Sequence, residues 1–316
     1  MSEKRELKET LLFEKNHRIH GGIYHKMQVD FAYNSNHIEG SRLTHEQTCY
    51  IFETQSVDGT VFVNDVFETA NHFRCLDWVL DTISEPLSEE YVKQMHRILK
   101  AGLMTQQNPE VVIGDYKKYA NVVGGIETAK PGEVSAQMAQ LLQTYQNLQQ
   151  PDFYEIAWFH MAFEKIHPFY DGNGRVGRLL LLKMCLENDI VPFYINSESK
   201  MFYYAGLKEW QTQGKPNRLL DVFLSMQDDM KAVLDYFEID YDQPLPVHWQ
   251  SNTKSVGGKL NGGKTFLRKF SPSKLPETQP AASIFYDLRV PELVHGGFLH
   301  TRPMPCIEWD KHRDSP

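Results

Sequence analysis

Apolar side chains recur at helical spacing along most of the first 240 residues of this chain. Between Asn64 and Ile83 they form one stripe that consists of Val66, Ala70, Phe73, Leu76, Val79 and Leu80. A repeat of about 3.6 residues is typical of a helix with one buried face. The same spacing predicts further helices over residues 24–36, 88–99, 134–148, 152–166, 175–188, 197–213 and 217–237. The chain is therefore predicted to be an all-α bundle.

Polar residues predict where two of these helices begin. Asn64 is a candidate N-cap, because its side chain can accept from a free backbone N–H group. Asp152 followed by Glu155 is typical of a capping box. The helix that starts there would deliver His167 at its C-terminal end. The helix over residues 175–188 is apolar on several sides, which predicts a central, buried position.

The pattern changes after about residue 241. Prolines and glycines punctuate the sequence, helical periodicity disappears and several lysines make the stretch locally basic. We expect an irregular C-terminal extension at 241–316, of unknown role. A weakly ordered tail is the first interpretation, and a small appendage that binds a partner is the second.

Composition narrows the classes of protein. Lys and Arg number 33 against 41 Asp and Glu, a formal net charge of −8, so a general affinity for nucleic acid or anionic membranes is not indicated. The four cysteines lie far apart, without the spacing of a metal or redox site. No segment has the length and apolar character of a leader or a membrane span. These properties predict a cytoplasmic protein.

The most informative motif is the string HPFYDGNGRVGR, from His167 to Arg178. It combines a potential proton acceptor, a carboxylate, glycines on either side of an asparagine and a pair of arginines. Glycines let the backbone approach a ligand closely and leave N–H groups free to face it. The apolar run that follows predicts a helix that opens near Gly174, and the N-terminus of a helix favours an anion. The string therefore predicts a site for a polyphosphate and a metal ion beside a base.

A purely structural interpretation covers part of this string. The segment Asp-Gly-Asn-Gly is common in turns and could serve only to stop one helix and start another. A structural turn, however, needs neither a preceding histidine nor two arginines on one face of the following helix. The phosphate site explains the complete string better.

The complete string resembles the signature of the Fic family, His-Pro-Phe-x-Asp/Glu-Gly-Asn-Gly-Arg-x-x-Arg, at every fixed position. Members typically transfer AMP from ATP to a hydroxyl side chain of a target protein. The resemblance implies a Fic-type helical bundle, ATP as substrate and Mg²⁺ held by Asp171. It implies His167 as the general base, because an imidazole pKa of about 6.5 suits proton transfer near neutral pH. The nucleotide-binding residues implied by the motif are Asp171, Gly172, Asn173, Gly174, Arg175 and Arg178.

A second segment, SNHIEG at residues 35–40, resembles the inhibitory motif of the family, Ser/Thr-x-x-x-Glu-Gly/Asn. The resemblance implies that Glu39, in a motif that begins at Ser35, pairs with Arg178 and occupies space that the γ-phosphate needs. A carboxylate and a phosphate compete for the same guanidinium donors. A position before the catalytic motif resembles class II members, in which an N-terminal helix carries the glutamate. Taken alone, the segment also fits an ordinary helix end at a glycine.

A third segment resembles the β-hairpin flap that covers the Fic site. Short β-branched stretches bounded by glycines predict a hairpin, and in relatives the flap pairs with the backbone of the target. An ordinary surface hairpin is the alternative. The nucleotide-site residues implied here are Asn121, Val122, Val123 and Gly124. Tyr203, Tyr204 and Gln211 resemble adenine contacts, although core and rim packing is the alternative for the tyrosines.

These resemblances divide the chain into an N-terminal helical region with the inhibitory motif at 1–60, a Fic catalytic core at 61–240 and the tail at 241–316. The expected function is protein adenylyltransfer onto a target hydroxyl and onto the chain itself, held low by Glu39. An enzyme that removes AMP or uses another nucleotide or phosphate donor is an alternative, as is a regulator whose tail binds DNA or a partner. A kinase like the Doc toxins is less consistent, because those proteins carry lysine at the position of Gly174. The expected partner is a target protein, and a homo-oligomer is a further candidate; nucleic acid and membranes are not expected.

Overall fold

The computed structural model describes residues 6–103 and 112–241. Within these ranges it contains ten helices and one two-stranded sheet. The helices are α1 (Leu7–His17), α2 (Ile23–Ile38), α3 (His45–Thr54), α4 (Val63–Asp81), α5 (Glu89–Lys100), α6 (Pro131–Gln146), α7 (Phe153–Ile166), α8 (Asn173–Glu187), α9 (Lys200–Gln213) and α10 (Asn217–Tyr236). The strands are β1 (Val122–Val123) and β2 (Ile126–Glu127). The all-α prediction is confirmed, and the predicted tail beyond residue 241 lies outside the described residues.

The helix that leads to the motif starts where the sequence predicts. The Asp152 side chain accepts hydrogen bonds from the N–H groups of Tyr154 and Glu155, both at 2.9 Å. The Glu155 carboxylate accepts in return from the N–H of Asp152 at 3.0 Å. This capping box stabilises the helix by about 1 kcal/mol. It fixes the start of α7 and therefore the place where His167 leaves its C-terminal end.

Two features of the N-terminal half differ from the periodicity analysis. The predicted N-cap at Asn64 is wrong: α4 begins at Val63, with Phe62 at the N-cap and no side-chain cap. The periodicity analysis also missed α1 and α3, because each buries only a few residues and so shows no long apolar stripe. The sequence did hold a start signal for α3, since Thr44 and Gln47 form a capping box.

The core is built around α8, which is buried on nearly all sides as predicted. Leu179, Leu180 and Leu182 on this helix are fully buried. Leu11 of α1 and Ile23 of α2 belong to the same hydrophobic cluster, so the N-terminal helices share one core with α8. Among the helices in the described ranges, none is both long and apolar enough to cross a lipid bilayer.

The predicted hairpin is present as the only sheet in the described ranges. Val122 pairs with Glu127 and Val123 with Ile126 in antiparallel register. The turn consists of Gly124 and Gly125 with φ values of 58° and 81°. Two consecutive left-handed residues are typical of the two-residue turn that matches the twist of a hairpin, and glycine adopts them without strain.

Candidate active site

The motif loop connects α7 to α8 and is held in one conformation. His167 caps α7 with a φ of 52°, and Gly172 precedes α8 with a φ of 85°. Directly after Gly172, the side-chain amide of Asn173 bonds the backbone of Phe169 in both directions, donating to its carbonyl at 2.9 Å and accepting from its N–H at 2.8 Å. Asn173 therefore locks the loop with its side chain. Its backbone N–H stays in the first turn of α8, where N–H groups have no carbonyl of their own helix to bond.

His167 lies in a setting that keeps its imidazole neutral. Burial lowers its pKa to about 4, and the positive charge of Lys117 acts in the same direction. The backbone of Glu164 and the carboxylates of Glu39 and Asp171 oppose this shift but do not outweigh it. This pKa lies below the value of about 6.5 on which the sequence-based expectation rested. The ring is therefore neutral at neutral pH, the form that can accept a proton, and it is a weaker base than an unperturbed imidazole.

Asp171 lies at the mouth of the loop, with its side chain half exposed. Its carboxylate accepts from the Lys100 ammonium at 2.5 Å and from the N–H of Gly172 at 2.6 Å, and it lies 3.7 Å from Arg175. Its backbone carbonyl accepts from the ring of His96 at 3.0 Å. Burial would raise the pKa of Asp171, but Lys100 and then Arg175 outweigh it, so the pKa lies below its ordinary value. The carboxylate is therefore ionised and able to hold a cation.

Arg178 is bound entirely by the end of α2. Its Nε donates to Ser35 Oγ at 3.0 Å, and one terminal nitrogen donates to the Ser35 carbonyl at 2.9 Å and to Glu39 Oε1 at 2.7 Å. Burial opposes the ionisation of Glu39, but attraction to Arg178 and then to Arg175 lowers its pKa below the ordinary value. The contact implied by the resemblance is thus present in the structure.

The Glu39 carboxylate also lies against the first turn of α8. A side chain at Gly174 would collide with Glu39 Oε1 and would come within 2.8 Å of Arg178. Gly174 therefore provides the space that the carboxylate occupies. The position beside a helix N-terminus and a guanidinium is one that favours an anion, and here a side chain of the chain itself fills it.

Arg175 is held by a residue that sequence reasoning missed. Glu68 of α4 lies 2.5 Å from one terminal nitrogen of Arg175 and 3.5 Å from Lys100. Lys100 bridges in turn to Asp171, so carboxylates and cations alternate around this side of the site. Arg175 and Arg178, expected to share one face, therefore engage different helices. Periodicity alone gave no signal for Glu68 or Lys100, since their partners lie far away along the chain.

The tyrosines implied as adenine contacts lie in different surroundings. Tyr203 is 1% exposed, and its hydroxyl donates to His160 Nε2 at 2.9 Å while His160 Nδ1 donates to the Gly177 carbonyl at 3.1 Å. Tyr203 therefore serves as a core residue beneath α8. Tyr204 is 38% exposed and Gln211 is half-buried, so both remain accessible to a ligand. Their contact with adenine stays a prediction.

A cluster outside the motif contains potential metal ligands. His25, Cys49 and Glu53 place their ligand atoms within 4.8 Å of one another, although the cysteine spacing gave no sign of it. His25 Nδ1 accepts from the N–H of Gly21 at 3.0 Å, so the ring proton lies on Nε2, which faces Glu53 at 3.3 Å. A nitrogen that carries a proton is not free to bind a metal. The cluster is therefore a hydrogen-bonded link between α2 and α3.

Comparison with known proteins shows which family the sequence of this chain resembles. Residues 86–185 match the model of the Fic/DOC family. The chain is 26% identical over 246 residues to the protein adenylyltransferase Fic of Drosophila grimshawi, a match over 76% of this chain and 49% of that protein. It is also 26% identical over 186 residues to the protein of the same name from Aedes aegypti, over 57% of this chain and 36% of that protein. The chain thus spans about half or less of these curated relatives.

Solved structures show the same fold. A Fic-domain-containing signaling protein from Bacteroides thetaiotaomicron matches with a TM-score of 0.58 and 22% identity, over 75% of this chain and 99% of that chain. Fic-1 from C. elegans also matches with a TM-score of 0.58, at 18% identity, over 73% of this chain and 72% of that chain. The complete motif lies within residues 86–185, the part of this chain that is similar to the Fic/DOC family.

Proposed function

We propose that this chain is a protein adenylyltransferase that moves AMP from ATP to a Ser, Thr or Tyr hydroxyl of a target protein and of itself. The observation that carries the proposal is the Glu39 carboxylate, which lies at the N-terminus of α8 and bonds Arg178. An anion is thus already bound where the motif would bind phosphate. The neutral imidazole of His167 in the adjoining loop supplies the base that hydroxyl transfer needs.

The reaction needs one bond to form and one to break. The hydroxyl oxygen of the target attacks the α-phosphorus of ATP, and its proton passes to the neutral ring of His167. The bond between the α-phosphorus and the oxygen that bridges to the β-phosphate breaks, and pyrophosphate leaves with the electron pair. Arg175, Arg178 and the N–H groups of Gly174 and its neighbours stabilise the phosphate charge. Catalysis by positioning and charge is typical of phosphoryl and nucleotidyl transfer.

The donor set of the site is compatible with Mg²⁺. Asp171 offers an ionised, half-exposed carboxylate, and Mg²⁺ is commonly held by one or two carboxylates together with substrate phosphates. When bound, the ion would neutralise phosphate charge. Lys100 now bonds the same carboxylate, so it would have to share Asp171 with the ion.

We further propose that Glu39 restrains this activity. Its bond to Arg178 uses a donor that the γ-phosphate would need, and its carboxylate adds negative charge at the same place. Binding of ATP in its reactive position would therefore require Glu39 to move away. The Glu39→Gly variant is the form in which transfer should be easiest to detect.

The test uses the position of the radioactive label. The Glu39→Gly chain is incubated with a cell lysate and with ATP labelled either on the α- or on the γ-phosphate. Label that reaches protein from α-labelled but not from γ-labelled ATP supports AMP transfer, whereas the reverse result would show a kinase. GTP, UTP and CTP labelled on the α-phosphate test other donors. If no donor labels any protein, nucleotide transfer is wrong, and release of AMP from pre-modified protein would then favour the removal reaction.

A further inference from the structure

Lys117 is a buried lysine between the hairpin and the motif loop. Its residue is 4% exposed. Its ammonium donates to Asn121 Oδ1 at 2.8 Å, to Thr128 Oγ1 at 2.6 Å and to the Ile166 carbonyl at 3.4 Å. All three acceptors are neutral, and within the described part of the chain no carboxylate forms an ion pair with it. Burying a charge without a counter-ion costs free energy, so a neutral residue would be the simpler choice for packing alone.

The three acceptors mark the ends of two elements. Asn121 directly precedes β1 and Thr128 directly follows β2. The Lys117 ammonium therefore bonds both ends of the hairpin. Thr128 also donates to Asn121 Oδ1 at 2.5 Å, which closes the base of the hairpin. Ile166 is the last residue of α7, where carbonyls lack partners in the helix and a cation is favoured. The hairpin is thereby tied to the residue that precedes His167.

The backbone of Lys117 makes a second connection to the motif. Its N–H donates to the carbonyl of Pro168 at 2.9 Å. Lys117 therefore forms hydrogen bonds on both sides of His167, from its side chain to Ile166 and from its main chain to Pro168. A displacement of the hairpin would be transmitted to the loop that carries the histidine.

The charge of Lys117 also reaches the imidazole. After burial, it is the largest influence that lowers the pKa of His167. The groups that face His167 with opposite effect are Glu164 of α7, Glu39 at the end of α2 and Asp171 in the loop. A nearby positive charge disfavours a second one, so the ammonium lowers the pKa of His167, whereas the Glu164 backbone and the Glu39 and Asp171 carboxylates raise it.

We propose that Lys117 is a positioning residue that joins the hairpin to His167 and keeps a positive charge beside its imidazole. This inference rests on the proposed function, in which His167 takes the proton of the hydroxyl, and on the flap resemblance, which implies that the hairpin pairs with the target. Because Lys117 is almost completely buried, its proposed role is to position these elements without contacting ATP or the target itself. It sets the distance between the segment that holds the acceptor and the base that activates it.

The test compares four variants in the full chain with Glu39→Gly as the background. Lys117→Met removes the ammonium, Lys117→Gln removes the charge but keeps a donor, and Lys117→Arg keeps both. Thr128→Val is the matched control, because it removes one acceptor and leaves the charge. Circular dichroism checks folding. If Lys117→Met does not fold, the loss of the charge is tested with Lys117→Gln alone.

The first readout is the pKa of His167 by NMR titration of the imidazole, with His167→Ala identifying its signal. We expect Lys117→Met and Lys117→Gln to raise this pKa by roughly one unit, whereas Lys117→Arg and Thr128→Val leave it near the parent value. Because it needs no turnover, this readout decides the charge effect even if AMP transfer itself is not found. An unchanged pKa in folded Met and Gln variants would overturn the inference.

The second readout is the pH dependence of transfer. The Met and Gln variants should lose activity at a higher pH than the parent as pH falls, and kcat should drop about tenfold or more while the KM for ATP changes little. Lys117→Arg should restore most of the rate. A loss that appears only in the KM for ATP, or that arginine does not rescue, would show a structural role and reject the proposal.

Discussion

Arg178 and Arg175 lie one turn apart on α8, and each meets a carboxylate from outside the motif, but the two pairs are built differently. Arg178 forms three hydrogen bonds, all to Ser35 and Glu39 at the end of α2. Arg175 lies 2.5 Å from Glu68, but its Nε and that terminal nitrogen make no hydrogen bond with good geometry in the described structure. Arg178 thus donates to Ser35 and Glu39 through two of its nitrogens, whereas Arg175 has its charge balanced by Glu68 and keeps two buried nitrogens without a hydrogen-bond partner among the described residues.

The two partner carboxylates, Glu39 and Glu68, also differ in the number of cations that each one contacts. The carboxylate of Glu39 bonds the Arg178 guanidinium, and its side chain is 31% exposed at the end of a helix, so it can leave without breaking another ion pair. Glu68 is shared between Arg175 and the buried Lys100. Removing Glu68 would leave two buried cations less well balanced, which is costly. We therefore predict that removing the Glu39 carboxylate raises transfer, so that Glu39 acts as a brake. Removing the Glu68 carboxylate should lower both transfer and stability.

The largest effect should come from a change that touches neither pair. His167→Ala removes the proposed base and leaves both arginines in place, so transfer should fall by about 10²–10⁴-fold with little change in ATP affinity. Rates with α-labelled ATP and binding by calorimetry, both in the Glu39→Gly background, measure this. Retained transfer would mean that another group accepts the proton. A loss of ATP binding would mean that His167 also contributes to the phosphate site that is proposed for the two arginines.

The next effect is activation through the first pair. Glu39→Gly frees Arg178 for the γ-phosphate and removes a competing charge, so self-labelling by ATP should rise by about ten- to hundredfold, the range of one charge-assisted hydrogen bond. Glu39→Gln, which keeps the size of the side chain, should rise less. Intact-protein mass spectrometry counts the AMP added. Equal labelling in wild type and both variants would show that the pair is not a brake.

The second pair should respond in the opposite direction. Glu68→Gln is the matched change, and because Glu68 supports Arg175 and Lys100 it should lower transfer several-fold. It should also reduce the free energy of unfolding by about 1–3 kcal/mol. Activity in the Glu39→Gly background and urea unfolding provide the two measurements. Activation by Glu68→Gln would make Glu68 a second brake and would erase the distinction between the pairs.

The sequence predicted one pair far better than the other, for a physical reason. The motif from His167 to Arg178 is one continuous loop and helix start, so glycines, carboxylate and arginines can be interpreted together. Glu39 belongs to a recognisable segment of its own, and its predicted contact with Arg178 is present in the structure; its inhibitory role stays a prediction. Glu68 and Lys117 have no such local signature. They become visible only when packing brings α4 and the hairpin to the motif.

The same limit explains the helices. Long helices such as α4 and α7 repeat an apolar stripe several times, and their existence was predicted correctly. Short ones such as α1 and α3 contribute few buried side chains and were missed. Tyr203 illustrates a different limit: a tyrosine in an apolar helix serves equally as a ligand platform or as a core residue. Its burial and its hydrogen bond to His160 in the structure identify its place in the interior.

The smallest expected effect is a pH dependence of stability that belongs to the first pair alone. The pKa of Glu39 is lower in the folded chain than its ordinary value, since Arg178 outweighs the effect of burial. Its contribution is therefore complete above the ordinary glutamate pKa and is lost as pH falls through the lowered value. The melting temperature of wild type should exceed that of Glu39→Gln at neutral pH, and the difference should shrink as the solution is acidified. A difference that persists unchanged into acid would show that the side chain stabilises the fold by packing, and the brake would then have to act through shape instead of charge.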